Sequence, residues 1–203
     1  MQTRDPCGTS RASAVGTLGW AHRPARPCAL LIVLTALWIV PPHDARGEGS
    51  VNQTKAEMLF NIARFVEWPD PGFGHRNRQI VFSILGDDEL ASVITATFSS
   101  RTINRKDVFV RFVRRVEDVK QTDILFIAAS ESARIPAVIE ALRGKSVLTV
   151  ADVEGFASQG GMVNFVQRGD KVRFEINPDS VLRSGLKVSA KVLTLAKLVA
   201  HAE

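Results

Sequence analysis

Apolar residues recur along this chain at two periods, and the alternation between them predicts its elements. Residues 29–40, ALLIVLTALWIV, are uninterruptedly apolar. Over 54–68, TKAEMLFNIARFVEW, the residues Met58, Leu59, Ile62, Ala63, Phe65 and Val66 recur at helical spacing, which predicts an amphipathic helix closed by Pro69 and Pro71. Phe60 and Trp68 lie off that stripe. Either the helix is buried on more than one side or these are aromatic contacts for a partner, and the burial habit of large apolar side chains favours the first. Residues 79–85, QIVFSIL, read as a buried strand running into Gly86-Asp87-Asp88, where a carboxylate caps the next helix, DELASVITATF. Runs 107–113, 124–128 and 146–152 read as further strands. A helix from Ser130 to about Leu142, stopped by Gly144, separates the last two.

Beyond residue 155 the helical period disappears. MVNFV and KVRFEI form a hairpin around Gln167-Arg168-Gly169-Asp170. Asn177-Pro178 then supplies a cap and a proline at the first helical position. Val181, Gly185, Val188, Val192, Leu195 and Val199 share one stripe, with Arg183, Lys187, Lys191 and Lys197 opposite, which predicts one long helix to about Ala200. The fold class expected is α/β: a single domain with a mostly parallel sheet flanked by helices, a C-terminal β-hairpin and a long final helix.

The remaining run, 29–40, is short for a membrane span, which needs about 20 apolar residues. Arginines precede it, Pro41-Pro42 end it, and small and polar residues follow. This is the order of a secretory signal peptide over 1–45, cleaved near Ala45. A flexible start at 46–53 and an α/β domain over 54–200 complete the expected organisation, and the expected location is the periplasm. Cys7 and Cys28 both precede the cleavage point, so the mature part has no disulfide and no thiolate chemistry. Cys28 begins the apolar run rather than following it, which disfavours a lipid anchor.

Net charge narrows little. The full chain carries +5. Residues 1–45 hold four arginines and two aspartates, leaving 22 basic and 19 acidic residues, or about +3. The basic stretch 101–120 reads as a solvated face, with anionic headgroups or an acidic partner surface as its accessible targets after export. No nucleic-acid partner is expected.

Catalytic sets are hard to assemble. His75 and His201 stand in a loop and at the C-terminus, no G-x-S-x-G occurs, and tyrosine is absent. Gly144-Lys145-Ser146 imitates the end of a phosphate loop but has Ile139 where the first glycine belongs. No catalytic residue, metal or cofactor is therefore assigned, and the chain is expected not to be an enzyme. Asp87, Ser130 and Asp152 follow strand ends, the edge at which open α/β sheets bind ligands. Caps and turns explain them more simply, and a small-molecule crevice there is the alternative reading.

Three segments carry a resemblance: AEMLFNIARFVEWP (56–69), DILFIAASE (123–131) with SVLTVADVEGFASQGGMVNFV (146–166), and KVRFEINPDSVLRSGLKVSAKVLTLAKLV (171–199). Together they resemble the YfiR family. The resemblance implies a periplasmic α/β protein, in some members a homodimer, that holds an inner-membrane diguanylate cyclase inactive by binding its periplasmic domain. An outer-membrane protein or a redox change releases that hold, and other members accompany a sensor kinase. It implies an interaction surface on the hairpin and the helix after it, matched here by Phe174, Glu175, Asn177 and Val181. Glu175 is the strongest candidate, since alternation sets it opposite Phe174 and Ile176. The departure is Asp123, which stands where redox-controlled members carry a cysteine, so no disulfide switch is expected.

Overall fold

The computed structural model describes residues 45–69, 79–169 and 171–200. The apolar run 29–40, His75 and His201 lie outside them. The first helix, α1 (Ala45–Arg64), begins earlier than its apolar stripe and includes residues 46–53. It ends before Val66, where β1 (Val66–Glu67) takes over. Then follow β2 (Gln79–Leu85), α2 (Glu89–Phe98), β3 (Thr102–Ile103), β4 (Lys106–Val113) and a 3-10 segment (Val116–Gln121). Next come β5 (Ile124–Ile127), a second 3-10 segment (Ala129–Arg134), α3 (Ile135–Ala141) and β6 (Leu148–Ala151). The hairpin is β7 (Val163–Arg168) and β8 (Lys171–Ile176).

Local chemistry explains most of these boundaries. Asp88 caps α2: its Oδ1 accepts from the backbone N–H of Ala91 at 2.7 Å. The helix expected from Ser130 is split, because Pro136 lacks the N–H that an α-helix begun at Ser130 would need there, while at the start of α3 that N–H is not required. The chain therefore makes a 3-10 segment first and an α-helix after it.

An eight-stranded sheet holds the domain, in the order β10 (Lys197–Leu198)-β8-β7-β6-β5-β2-β4-β3. Strands β4, β2, β5, β6 and β7 run parallel, β8 returns antiparallel to β7, and β3 is antiparallel to β4. Every residue of β5 and β6 is buried, as expected of central parallel strands covered on both faces. Phe82, Ile84, Phe126 and Val150 point to the face covered by α1 and α2, where Phe98 packs tilted on Phe82 at 4.7 Å. Leu85, Leu125, Ile127 and Ala151 point to the face covered by α3.

The long final helix is corrected. Residues 178–198 form α4 (Pro178–Arg183), β9 (Lys187–Val188), α5 (Ala190–Leu193) and β10 (Lys197–Leu198). Gly185 adopts φ +75°, the left-handed conformation that ends helices. Lys187 and Val188 then pair antiparallel with Glu67 and Val66, and the Ser189 N–H donates to the Phe65 carbonyl at 3.0 Å. Ser189 opens a new helical turn, and Lys197-Leu198 lies parallel to Glu175-Ile176. Of the residues assigned to one apolar face, Val181 and Val192 are buried, while Leu195 is exposed.

Candidate functional site in the groove beside the first helix

Breaking the C-terminal helix opens an apolar groove. It runs between α1 and the pair β8 and α5, with a volume of about 500 Å³. Met58, Ile62 and Phe65 supply the α1 wall, Phe174 the floor, and Val192 and Leu195 the opposite wall. Phe65 is 43% exposed and Leu195 73%, so both present apolar surface to whatever enters. Gln53, Thr54, Asn61 and Lys191 contribute polar groups, the mix expected at a recognition groove.

Glu57, at the groove's edge, is tied down. The Arg101 guanidinium meets its carboxylate with two hydrogen bonds, of 2.6 and 2.5 Å. That pairing holds the Glu57 carboxyl below the usual range, chiefly through the hydrogen bond from Arg101. The same guanidinium lies 4.8 Å over the Phe60 ring. Phe60 is itself buried and packs edge-on against Phe98 at 5.5 Å, so it is core.

Of the residues expected at the interaction surface, Phe174 alone lines the groove. Glu175 accepts an ion pair from Lys197 Nζ at 2.7 Å, which stitches β10 to β8. Asn177 is fully buried: its Oδ1 accepts from the Ser180 N–H at 3.0 Å and its Nδ2 donates to the Ala157 carbonyl at 2.8 Å. It caps α4 and anchors the loop before the hairpin. Val181 packs in the core. Trp68 is half-buried, with Nε1 donating to the Asp123 carbonyl at 3.2 Å.

Asp123 ties neighbouring strands together. Its Oδ2 accepts from the Val81 N–H at 2.8 Å, and its backbone bonds to Val81 on β2 and to Leu148 on β6. The buried carboxylate thus fastens the start of β5 to β2, while the backbone of the same residue bonds to β2 and β6.

The strand-end crevice is filled by the protein. Its two loops meet at Gly86 (φ +88°), where a Cβ would lie 2.6 Å from Glu131 Cγ and 2.8 Å from Ser130 Oγ. Ser130 Oγ donates to the Asp87 carbonyl at 3.4 Å, and Asp88 Oδ2 accepts from the Ala129 N–H at 3.1 Å. Asp87 is exposed. Asp152 takes Lys55 Nζ at 2.6 Å, pinning α1 to the end of β6.

Sequence reasoning missed Asn61, Lys191 and the groove itself. The α1 half was legible as the apolar stripe of Met58, Ile62 and Phe65. The other half was not, because it depends on where the C-terminal segment breaks.

Comparison with solved structures gives similarity of fold. The ABC domain in complex with L-Trp from Streptococcus pneumoniae is 10% identical with a TM-score of 0.49, over 73% of this chain and 60% of that one. A conserved domain protein from Vibrio cholerae is 9% identical, TM-score 0.48, over 72% and 59%. The ligand-free, open form of a substrate binding protein with adhesive properties from Clostridium difficile is 12% identical, TM-score 0.45, over 72% and 58%. The chain thus spans about 60% of the length of these proteins. The YfiR/HmsC-like family model matches residues 52–197, from within α1 to the start of β10, and the chain belongs to that family.

Proposed function

We propose that the protein is a periplasmic regulatory module that restrains an inner-membrane diguanylate cyclase, holding the cyclase's periplasmic domain in the groove between α1 and α5. The family is one of regulators rather than catalysts, which supports binding over turnover. No helix among the described residues is long and apolar enough to cross a membrane. The observation that carries the reading is that the exposed Phe65 and Leu195 line one apolar groove together with Phe174. Such a groove suits an amphipathic helix, which lays apolar anchors at helical spacing into it. Release by an outer-membrane protein, or pairing with a sensor kinase instead of a cyclase, uses the same surface.

The test is capture from solubilised membranes, with cyclic di-GMP measured in cells. Phe65→Asp and Leu195→Asp are surface changes that leave the core intact. Each is expected to weaken capture by roughly 30-fold or more, as truncation of an interface anchor does, and to raise cyclic di-GMP. Capture of no cyclase or kinase by the unaltered protein, or undiminished capture by both variants, overturns the proposal.

A further inference from the structure

A second concavity lies away from the groove, between the end of α3 and α4, with a volume of about 300 Å³. That is the lower end of the range for small-molecule sites. Its apolar lining is Ile139, Leu142 and Met162, and Thr149 on β6 faces into it. Gly144 (φ +71°) and Gly160 (φ +101°) also line it, in conformations that exclude most side chains. A Cβ at Gly144 would meet nothing within 4 Å, so the space beside it is open.

The polar groups of this cavity are unevenly satisfied. Thr149 Oγ1 accepts from the Met162 N–H at 3.1 Å, and its own hydroxyl hydrogen remains for an acceptor. Ser180 Oγ accepts from Arg183 Nη2 at 3.1 Å and has the same hydrogen to give. Both serve from buried positions. Arg143 is neutralised by Glu140 in an ion pair of 2.5 Å. Arg183 has no carboxylate partner among the described residues, only the Ser180 hydroxyl. An uncompensated guanidinium with two hydroxyl donors beside an apolar wall is a receptor for one negative charge attached to a compact apolar body.

We propose that this cavity binds a small organic carboxylate. The carboxylate takes Arg183 and the hydroxyls of Ser180 and Thr149, and the apolar body lies against Ile139, Leu142 and Met162. A phosphate dianion would ask for more cationic donors than the single guanidinium left unpaired. This site stands apart from the proposed cyclase groove and does not depend on it.

Isothermal titration of the purified protein with 3-methylbutanoate and benzoate tests it, with inorganic phosphate and 3-methylbutanamide as comparisons. At least one carboxylate is expected to bind, while phosphate and the amide do not. Arg183→Gln, at an exposed position, is expected to weaken that binding about tenfold with an unchanged melting temperature. Ile139→Phe, which fills the cavity from its apolar wall, is expected to do the same by a steric route. No binding of either carboxylate at millimolar concentration overturns the proposal. So does phosphate binding as tightly as the carboxylates, which would leave an anion patch only, and so does full affinity in Arg183→Gln.

Discussion

Lys55 is the residue whose surroundings contrast most with its chemistry. It sits on α1 beside fully buried Ala56 and is itself only 5% exposed, yet it carries an ammonium. Asp152 makes this tolerable by meeting Nζ at 2.6 Å from the end of β6. Removing one member of such a pair leaves a charge without water or partner, whereas replacing both by apolar groups of similar volume is often neutral. Asp152→Ala is therefore expected to destabilise the protein by about 2–3 kcal/mol, somewhat below a fully buried pair because the carboxylate keeps some solvent. The double change Lys55→Met with Asp152→Leu is expected to recover most of that loss. Urea denaturation of the two variants checks the point. If the double change is as unstable as the single one, the ion pair contributes more than the relief of a stranded charge. Asp152 thereby changes from a candidate ligand group into the fastening between the first helix and the sheet.

At the level of elements, regular pattern was legible and interruption was not. The strands 79–85 and 124–127 are short apolar runs, the hairpin turns at Gly169, and Asp88 and Asn177 cap where they were expected to. The C-terminal segment was misread because its apolar residues satisfy helical spacing by coincidence, with Gly185 counted into the stripe. Tertiary pairing decides the matter: Val66-Glu67 offers Lys187-Val188 an antiparallel partner, and no local pattern announces it. The groove was hidden for the same reason, since its α5 wall exists only once that helix is broken. Two glycines separate backbone freedom from lack of room. At Gly185 a Cβ would be 3.6 Å from Pro69 Cγ, an ordinary contact, so Gly185→Ala is expected to cost only the left-handed penalty of about 1–2 kcal/mol. At Gly161 a Cβ would overlap the buried Phe156 ring, so Gly161→Ala is expected to cost more, up to about 3 kcal/mol. Thermal melting of the two variants side by side gives the ranking. The reverse order would mean that the loop before the hairpin yields more easily than the α4 terminus.

Across the whole molecule, stability is distributed unevenly, and the C-terminal wall of the candidate groove belongs to its weaker part. Strands β5 and β6 are buried throughout and hydrogen-bonded on both sides, so their amides should exchange with solvent only on global unfolding. The C-terminal segment that carries Val192 and Leu195 is made of pieces: β9 and β10 have two residues each and α5 has four. Elements so short gain little from their own hydrogen bonds and depend on a few anchors, Val192 among them. Residues 187–198 should therefore open locally at a free energy well below that of the core. Hydrogen exchange of the free protein is expected to show amides of 187–198 exchanging orders of magnitude faster than those of 124–127. With the partner bound, protection should rise in 187–198 and in the α1 residues that face them, and hardly at all in β5. Binding energy would then be spent partly on ordering this wall, which lowers affinity while keeping the interaction reversible, a property suited to a regulator that must let go. Equal protection of 187–198 and 124–127 in the free protein would place the C-terminal segment within the cooperative core and make the groove a preformed, rigid receptor instead.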